Sequence, residues 1–188
     1  MVLYGPLCAL AQPTPADPLG PLMRCPFGKD LQAHSVNRRP TGTLTRAVQT
    51  SSGPMQVSVA DGYRMLLAYP DTAPFVNLKL ERSQPGKLAA DRTAILAQMT
   101  SFAALPGAAV APFRVIARDG VEIMALNSFA LTGGVIGIYT LISEQHNVIA
   151  TAYLLNQKPA QRRFTTFAQY ETLRDDFIHL LARCMGAL

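Results

Sequence analysis

Val135-Ile136-Gly137-Ile138-Tyr139-Thr140-Leu141-Ile142-Ser143 and Val148-Ile149-Ala150-Thr151-Ala152-Tyr153-Leu154-Leu155 flank a short polar turn, Gln145-His146-Asn147, and decide the fold. In the first run Val135, Tyr139 and Leu141 fall on one side of an extended chain, and Ile136, Ile138 and Ile142 on the other. The second run is also apolar at both alternating sets of positions. A strand buried on both faces needs cover on both sides. The sequence offers two candidates for that cover.

Both candidates have helical period. Over 87–104, Leu88, Ile95, Leu96, Met99 and Phe102 form one apolar stripe. Over 167–185, Phe167, Tyr170, Leu173, Phe177, Leu180, Leu181 and Cys184 form another. Thr166 and Gln169 have the spacing of a capping box at the start of the second helix, and Gly186 supplies its stop. Outward from these elements, Ser52-Gly53, Asp61-Gly62, Asp119-Gly120 and Gly133-Gly134 fall between apolar runs, as tight hairpin turns do. They predict strands over 43–50, 55–60, 63–69, 109–118, 121–131 and 135–143. Alternation adds strands over 75–82, where Val76, Leu78 and Leu80 face one way, and 148–155. The expected fold is an α/β domain of the α+β type. Its mainly antiparallel sheet of about seven to eight strands carries one helix on each face, a three-layer α/β/α sandwich.

The chain has 188 residues, of which 49% are apolar and 15% charged, enough for one domain with its own core. That domain is expected over 41–188. Residues 12–40 carry Pro13, Pro15, Pro18, Pro21, Pro26 and Pro40, which fit an extended lead-in and neither a regular helix nor a central strand. Before it, the apolar run ending in Ala9-Leu10-Ala11 resembles the end of a secretory signal, although no Lys or Arg precedes it. Residues 1–11 are therefore expected to be a leader remnant. The mature chain would begin at Gln12, in the periplasm or outside the cell.

The net charge is +5, with its densest basic pairs at Arg38-Arg39 and Arg162-Arg163. Basic residues are not gathered into a stripe with exposed aromatics, so nucleic acid is not the expected partner. No apolar stretch approaches the ~20 residues of a spanning helix.

Chemistry-bearing residues are scattered. His34, His146 and His179 are isolated from one another and from cysteine, so no metal site and no cofactor are expected. Ser128 lies mid-strand and outside any nucleophile elbow. Gly133-Gly134 matches no phosphate loop. Asp175-Asp176 point about 100° apart on a helix and share no site. The basic loop 156–164 offers Lys158, Arg162 and Arg163 as contacts for a partner or acidic ligand; a solvated loop is the alternative. The three cysteines are Cys8, Cys25 and Cys184. Cleavage after Ala11 removes Cys8 and leaves two in an oxidising compartment, which predicts a Cys25–Cys184 disulfide. The alternative is an apolar Cys184 and a free Cys25 thiol.

Asp61-Gly62-Tyr63-Arg64-Met65-Leu66-Leu67-Ala68-Tyr69-Pro70, then Pro74-Phe75-Val76-Asn77-Leu78 and the helix 87–104, resemble the opening of the PsbP-like fold family, which includes DcrB and the Eag effector chaperones. The resemblance is one of pattern over about residues 43 to 185. It implies a role in binding other proteins and carries over no catalytic residue. The expected function is an exported, non-enzymatic accessory protein that binds another protein. The alternatives are a carrier of a small apolar ligand, with Met65, Met99 and Met124 lining a pocket, and an enzyme whose residues meet only in the folded chain.

Overall fold

The computed structural model describes residues 17–28, 31–39, 44–105, 113–128, 134–156 and 166–188. Positive φ marks two of the expected turns. Asp119 and Gly120 take φ of 52° and 72° and join β5 (Arg114–Arg118) to β6 (Val121–Asn127) in a tight antiparallel hairpin. Gly53, at φ 108°, joins β2 (Leu44–Thr50) to β3 (Gly53–Ala68). Both conformations strain a residue with a Cβ in most contexts.

The other elements are α1 (Gly20–Met23), β1 (Gln32–Arg39), β4 (Val76–Ser83), α2 (Leu88–Ala103), β7 (Val135–Ser143), β8 (Val148–Leu155) and α3 (Phe167–Gly186). Among the described residues the strands form one eight-stranded sheet in the order β1-β3-β4-β8-β7-β6-β5, with β2 also pairing β3. Every pairing is antiparallel. Both long helices lie where their periodicity places them. The capping box of α3 is complete: Thr166 Oγ1 accepts from the Gln169 amide, and the Gln169 side chain accepts from Thr166 N–H. Gly186 is the last helical residue rather than the stop, and Ala187 is the cap.

Asp61-Gly62 is not a turn. The two expected strands 55–60 and 63–69 are one strand, β3, with a bulge between Val59 and Asp61. Gly62 pairs with Arg39 on one side and Glu81 on the other. A Cβ at Gly62 would come within 2.7 Å of the Leu80 carbonyl oxygen. This glycine serves close strand approach, the other reason for glycine inside a strand. Asp61 is fixed by two hydrogen bonds from Arg82, of 3.2 and 3.0 Å.

The lead-in contributes more than extended chain. Its helical turn α1 buries Leu22, and Leu19, Cys25, Phe27 and Leu31 are buried with it. Its second part, β1, is an edge strand paired with β3 from Gln32 against Ala68 to Arg39 against Gly62. The sequence Gln-Ala-His-Ser-Val-Asn-Arg-Arg has no apolar face to reveal it; the backbone ladder makes the strand.

The buried residues fall into two clusters. Tyr170, Phe177, Leu181 and Met185 of α3 pack with Leu78 and Leu80 of β4, Ile123 of β6, Leu141 of β7, Ala152 of β8 and the lead-in. Ala94, Ile95 and Met99 of α2 pack with Val57 and Val59 of β3, Met124 and Leu126 of β6, and Ile142 and Ile149. Adjacent residues of β6, Ile123 and Met124, thus belong to different clusters, as a period of two requires. Ile136 departs from the expected side and joins Tyr139 and Leu141. A register shift between Val135 and Gly137 adds one residue and turns Ile136 over. Phe167, expected on the apolar stripe, is 38% exposed.

Candidate functional site

β5 is exposed at every position. It stands at one end of the sheet and pairs only with β6 among the described residues. All five of its residues are exposed, including Val115 at 45% and Ile116 at 51%. An edge strand presents a row of backbone donors and acceptors that another chain can pair. β1, at the other end, is blunted by polar side chains. β5 carries adjacent aliphatic residues instead.

The alternation of β5 places Arg114, Ile116 and Arg118 beside a cleft of about 200 Å³ between the sheet and α3. They pair across the hairpin with Ala125, Ile123 and Val121. Arg174 and His179 of α3 complete the wall. Neither Arg114 nor Arg118 has an acidic partner among the described residues. Arg174 does: its Nε donates to Asp175 at 2.7 Å, and its guanidinium lies 5.4 Å from the centre of the Tyr170 ring. Among the described residues of this cleft, the two arginines of β5 are thus without an acidic partner.

The base of the cleft is hydrogen-bonded. Tyr139 of β7 and Tyr170 of α3 both donate to Asn127 Oδ1 at the end of β6, the second at 3.0 Å. Burial pushes both phenols above their ordinary range, so they stay protonated and keep donating at neutral pH. Gly137 lies beneath them: a Cβ there would run into the Tyr170 hydroxyl and come within 3.1 Å of the Tyr139 ring. This cluster ties α3 to β6 and β7 and so fixes the wall opposite Arg114 and Arg118.

On its other side β5 borders a wider cleft of about 590 Å³, shared by Ala117 of β5 with Arg92 and Glu122. Arg92 makes two hydrogen bonds to Glu122, of 2.7 and 2.5 Å. That cation is satisfied, so the free charge lies on the α3 side.

Cys25 and Cys184 are bonded, with Cα atoms 6.0 Å apart. Lys158, Arg162 and Arg163 lie outside the described residues, as do Cys8, the leader and residues 109–112 and 129–131 of two expected strands. His34 is exposed on β1, His146 sits in the β7–β8 turn, and His179 is exposed on α3. Ser128 follows β6 and donates its amide to Ile136. Met65 is buried in the α3 cluster, and Met99 and Met124 in the α2 cluster, so the three do not line one cavity. Among the described residues no group of three or more His, Cys, Asp or Glu is placed to hold a metal ion. No helix among them is long and apolar enough to cross a membrane.

Arg114 and Arg118 stand four apart, so the adjacent basic pairs of the sequence do not reveal them. A period of two applied to Arg-Val-Ile-Ala-Arg puts both arginines and Ile116 on one face. Comparison with family models, with curated proteins and with solved structures finds no match to this chain.

Proposed function

We propose that this is an exported, non-enzymatic accessory protein that binds another protein by letting it add a strand to β5. The observation that carries the reading is the edge itself, which pairs only with β6 among the described residues: a fully exposed strand with Val115 and Ile116 side by side and an arginine at each end. Strand addition takes its affinity from main-chain hydrogen bonds and its selectivity from alternate side chains. The Cys25–Cys184 bond supports export, because such bonds persist where thiols are kept oxidised. The fold expected of a PsbP-like binding protein accords with this role. In this reading the sheet lies between α2 on one face and α3 on the other, with the lead-in, which lies outside the family resemblance, packed beside α3. The split of Ile123 and Ala125 from Met124 and Leu126 between the two clusters supports that layering.

A photo-reactive residue at Val115, introduced in the native host, tests the reading. The expected result is a cross-link to one protein species, absent when the probe stands at exposed Thr172 on α3. The same cross-links from both positions, or none from Val115, would contradict it.

A further inference from the structure

We infer that the strand β5 accepts carries two carboxylates four residues apart around an aliphatic residue. The inference rests on the strand-addition reading and adds the chemistry of the occupant. Arg114, Ile116 and Arg118 share one side of β5 and border the α3 cleft. An added strand sets one residue opposite each of them. Directly opposed residues have Cβ atoms ~4.5–5.5 Å apart, within the reach of an arginine–carboxylate pair. Both guanidinium groups lack an acidic partner among the described residues. Asp175, the carboxylate on the cleft's rim, is already engaged by Arg174.

The same geometry disfavours a second copy of this chain in the two symmetric registers. Antiparallel self-pairing centred on Ile116 sets Arg114 of each copy opposite Arg118 of the other, and parallel in-register pairing sets each arginine beside itself. Like charges directly opposite destabilise a strand pair. The edge therefore discourages self-association and favours an acidic guest, a form of selectivity by repulsion as well as attraction. The chain's net charge of +5 adds attraction at long range.

The test uses the full-length, disulfide-bonded protein and four fluorescent nonapeptides, acetylated and amidated, built on threonine with a central valine. One carries glutamates at its third and seventh positions. In two others glutamine or lysine stands there, and the fourth has its two glutamates adjacent. Affinity is read by anisotropy, and amide hydrogen exchange locates the contact. The glutamate peptide is expected to bind about tenfold more tightly than the glutamine peptide, through two opposite-charge cross-strand pairs. It should also slow exchange at Arg114–Arg118. Arg114→Gln/Arg118→Gln should remove the preference, and Arg114→Glu/Arg118→Glu should transfer it to the lysine peptide. If the glutamate and glutamine peptides bind equally and both protect β5, the strand-addition reading stands and the carboxylate inference fails. The inference also fails if adjacent glutamates serve as well as spaced ones, because the site is then a simple anion attractor. Absence of protection at β5 with every peptide would overturn both.

Discussion

Cys25 and Cys184, separated by 159 positions in the chain, are joined by a disulfide that ties the lead-in to the last turns of α3. The bond closes a loop spanning nearly the whole domain. The chain-entropy model sets a ceiling of about 5 kcal/mol for such a loop, and native disulfides commonly contribute ~2–5 kcal/mol. Cys25→Ser/Cys184→Ser should therefore lower the unfolding free energy by about 2–5 kcal/mol, measured by urea titration with and without reductant. Wild-type protein should fall to the double variant's midpoint when reduced. Equal midpoints for oxidised and reduced wild type would contradict the assignment.

Gly137 leaves room for the Tyr170 hydroxyl, so Gly137→Ala should destabilise the fold by ~1–3 kcal/mol through overpacking. Tyr170→Phe removes the atom that the new methyl group meets. The double variant should then be more stable than the sum of the single changes predicts. Strict additivity in a double-mutant cycle would show that the two residues do not press on each other.

Asp91 of α2 is a charged residue at 1% exposure. Its carboxylate accepts from the Ser58 amide at 2.8 Å and from the Ser83 hydroxyl, joining α2 to β3 and β4. Asp91→Ala strands both donors and should cost ~1–3 kcal/mol. Asp91→Asn keeps an acceptor and should recover part of that loss in the same urea titration. Equal losses for the two variants would refute the hydrogen-bonding role.

Asp17 and Tyr63 link the lead-in to β3, with the Tyr63 hydroxyl donating to the Asp17 carboxylate. Partial burial works to raise the Asp17 carboxyl. The hydrogen bonds from Tyr63 and Leu19, with the charge of Arg38, outweigh it and hold the group below its ordinary 3.8. The bond to Asp17, then burial, raises the Tyr63 phenol above its ordinary 10.0. A lowered carboxyl stabilises the fold fully above 3.8 and loses that effect as pH falls through its folded value. A raised phenol stabilises fully below 10.0 and loses that effect as pH rises through its folded value. The link should be intact between these limits and weaken outside them. Because both groups are largely solvated, its contribution should be small. Unfolding of wild type and Asp17→Asn across the pH range should show a difference at neutrality that vanishes in acid. A difference that persists in strong acid would contradict it.

What the sequence revealed follows from which forces leave a pattern in it. Burial leaves one: the two-sided apolar runs of β7 and β8 and the stripes of α2 and α3 are visible because water selects apolar residues at fixed periods. Backbone pairing leaves none, and β1 is polar throughout except for Ala33 and Val36. Asp61-Gly62 reads as a turn in sequence and lies inside β3, because glycine serves both positive φ and close approach and the residue alone does not say which. The bulge beside Gly137, which turns Ile136 over, is likewise set by pairing and not by residue type. The candidate site was half visible. Arg114 and Arg118 stand in plain sequence, but that neither has an acidic partner among the described residues depends on where those carboxylates end up.

Exposure of β5 predicts that its two arginines do little for stability. Arg114→Gln/Arg118→Gln should leave the unfolding free energy within about 0.5 kcal/mol of wild type. Any loss of binding in that variant would then be a loss of contact and not of fold.

The most direct test of strand addition is amide exchange across Arg114–Arg118, with and without the partner cross-linked through Val115. The predicted result is slowed exchange at alternate amides of β5, those pointing away from β6, with the remaining amides of the strand unchanged. Unchanged exchange along the whole of β5 while the partner is bound would contradict the account.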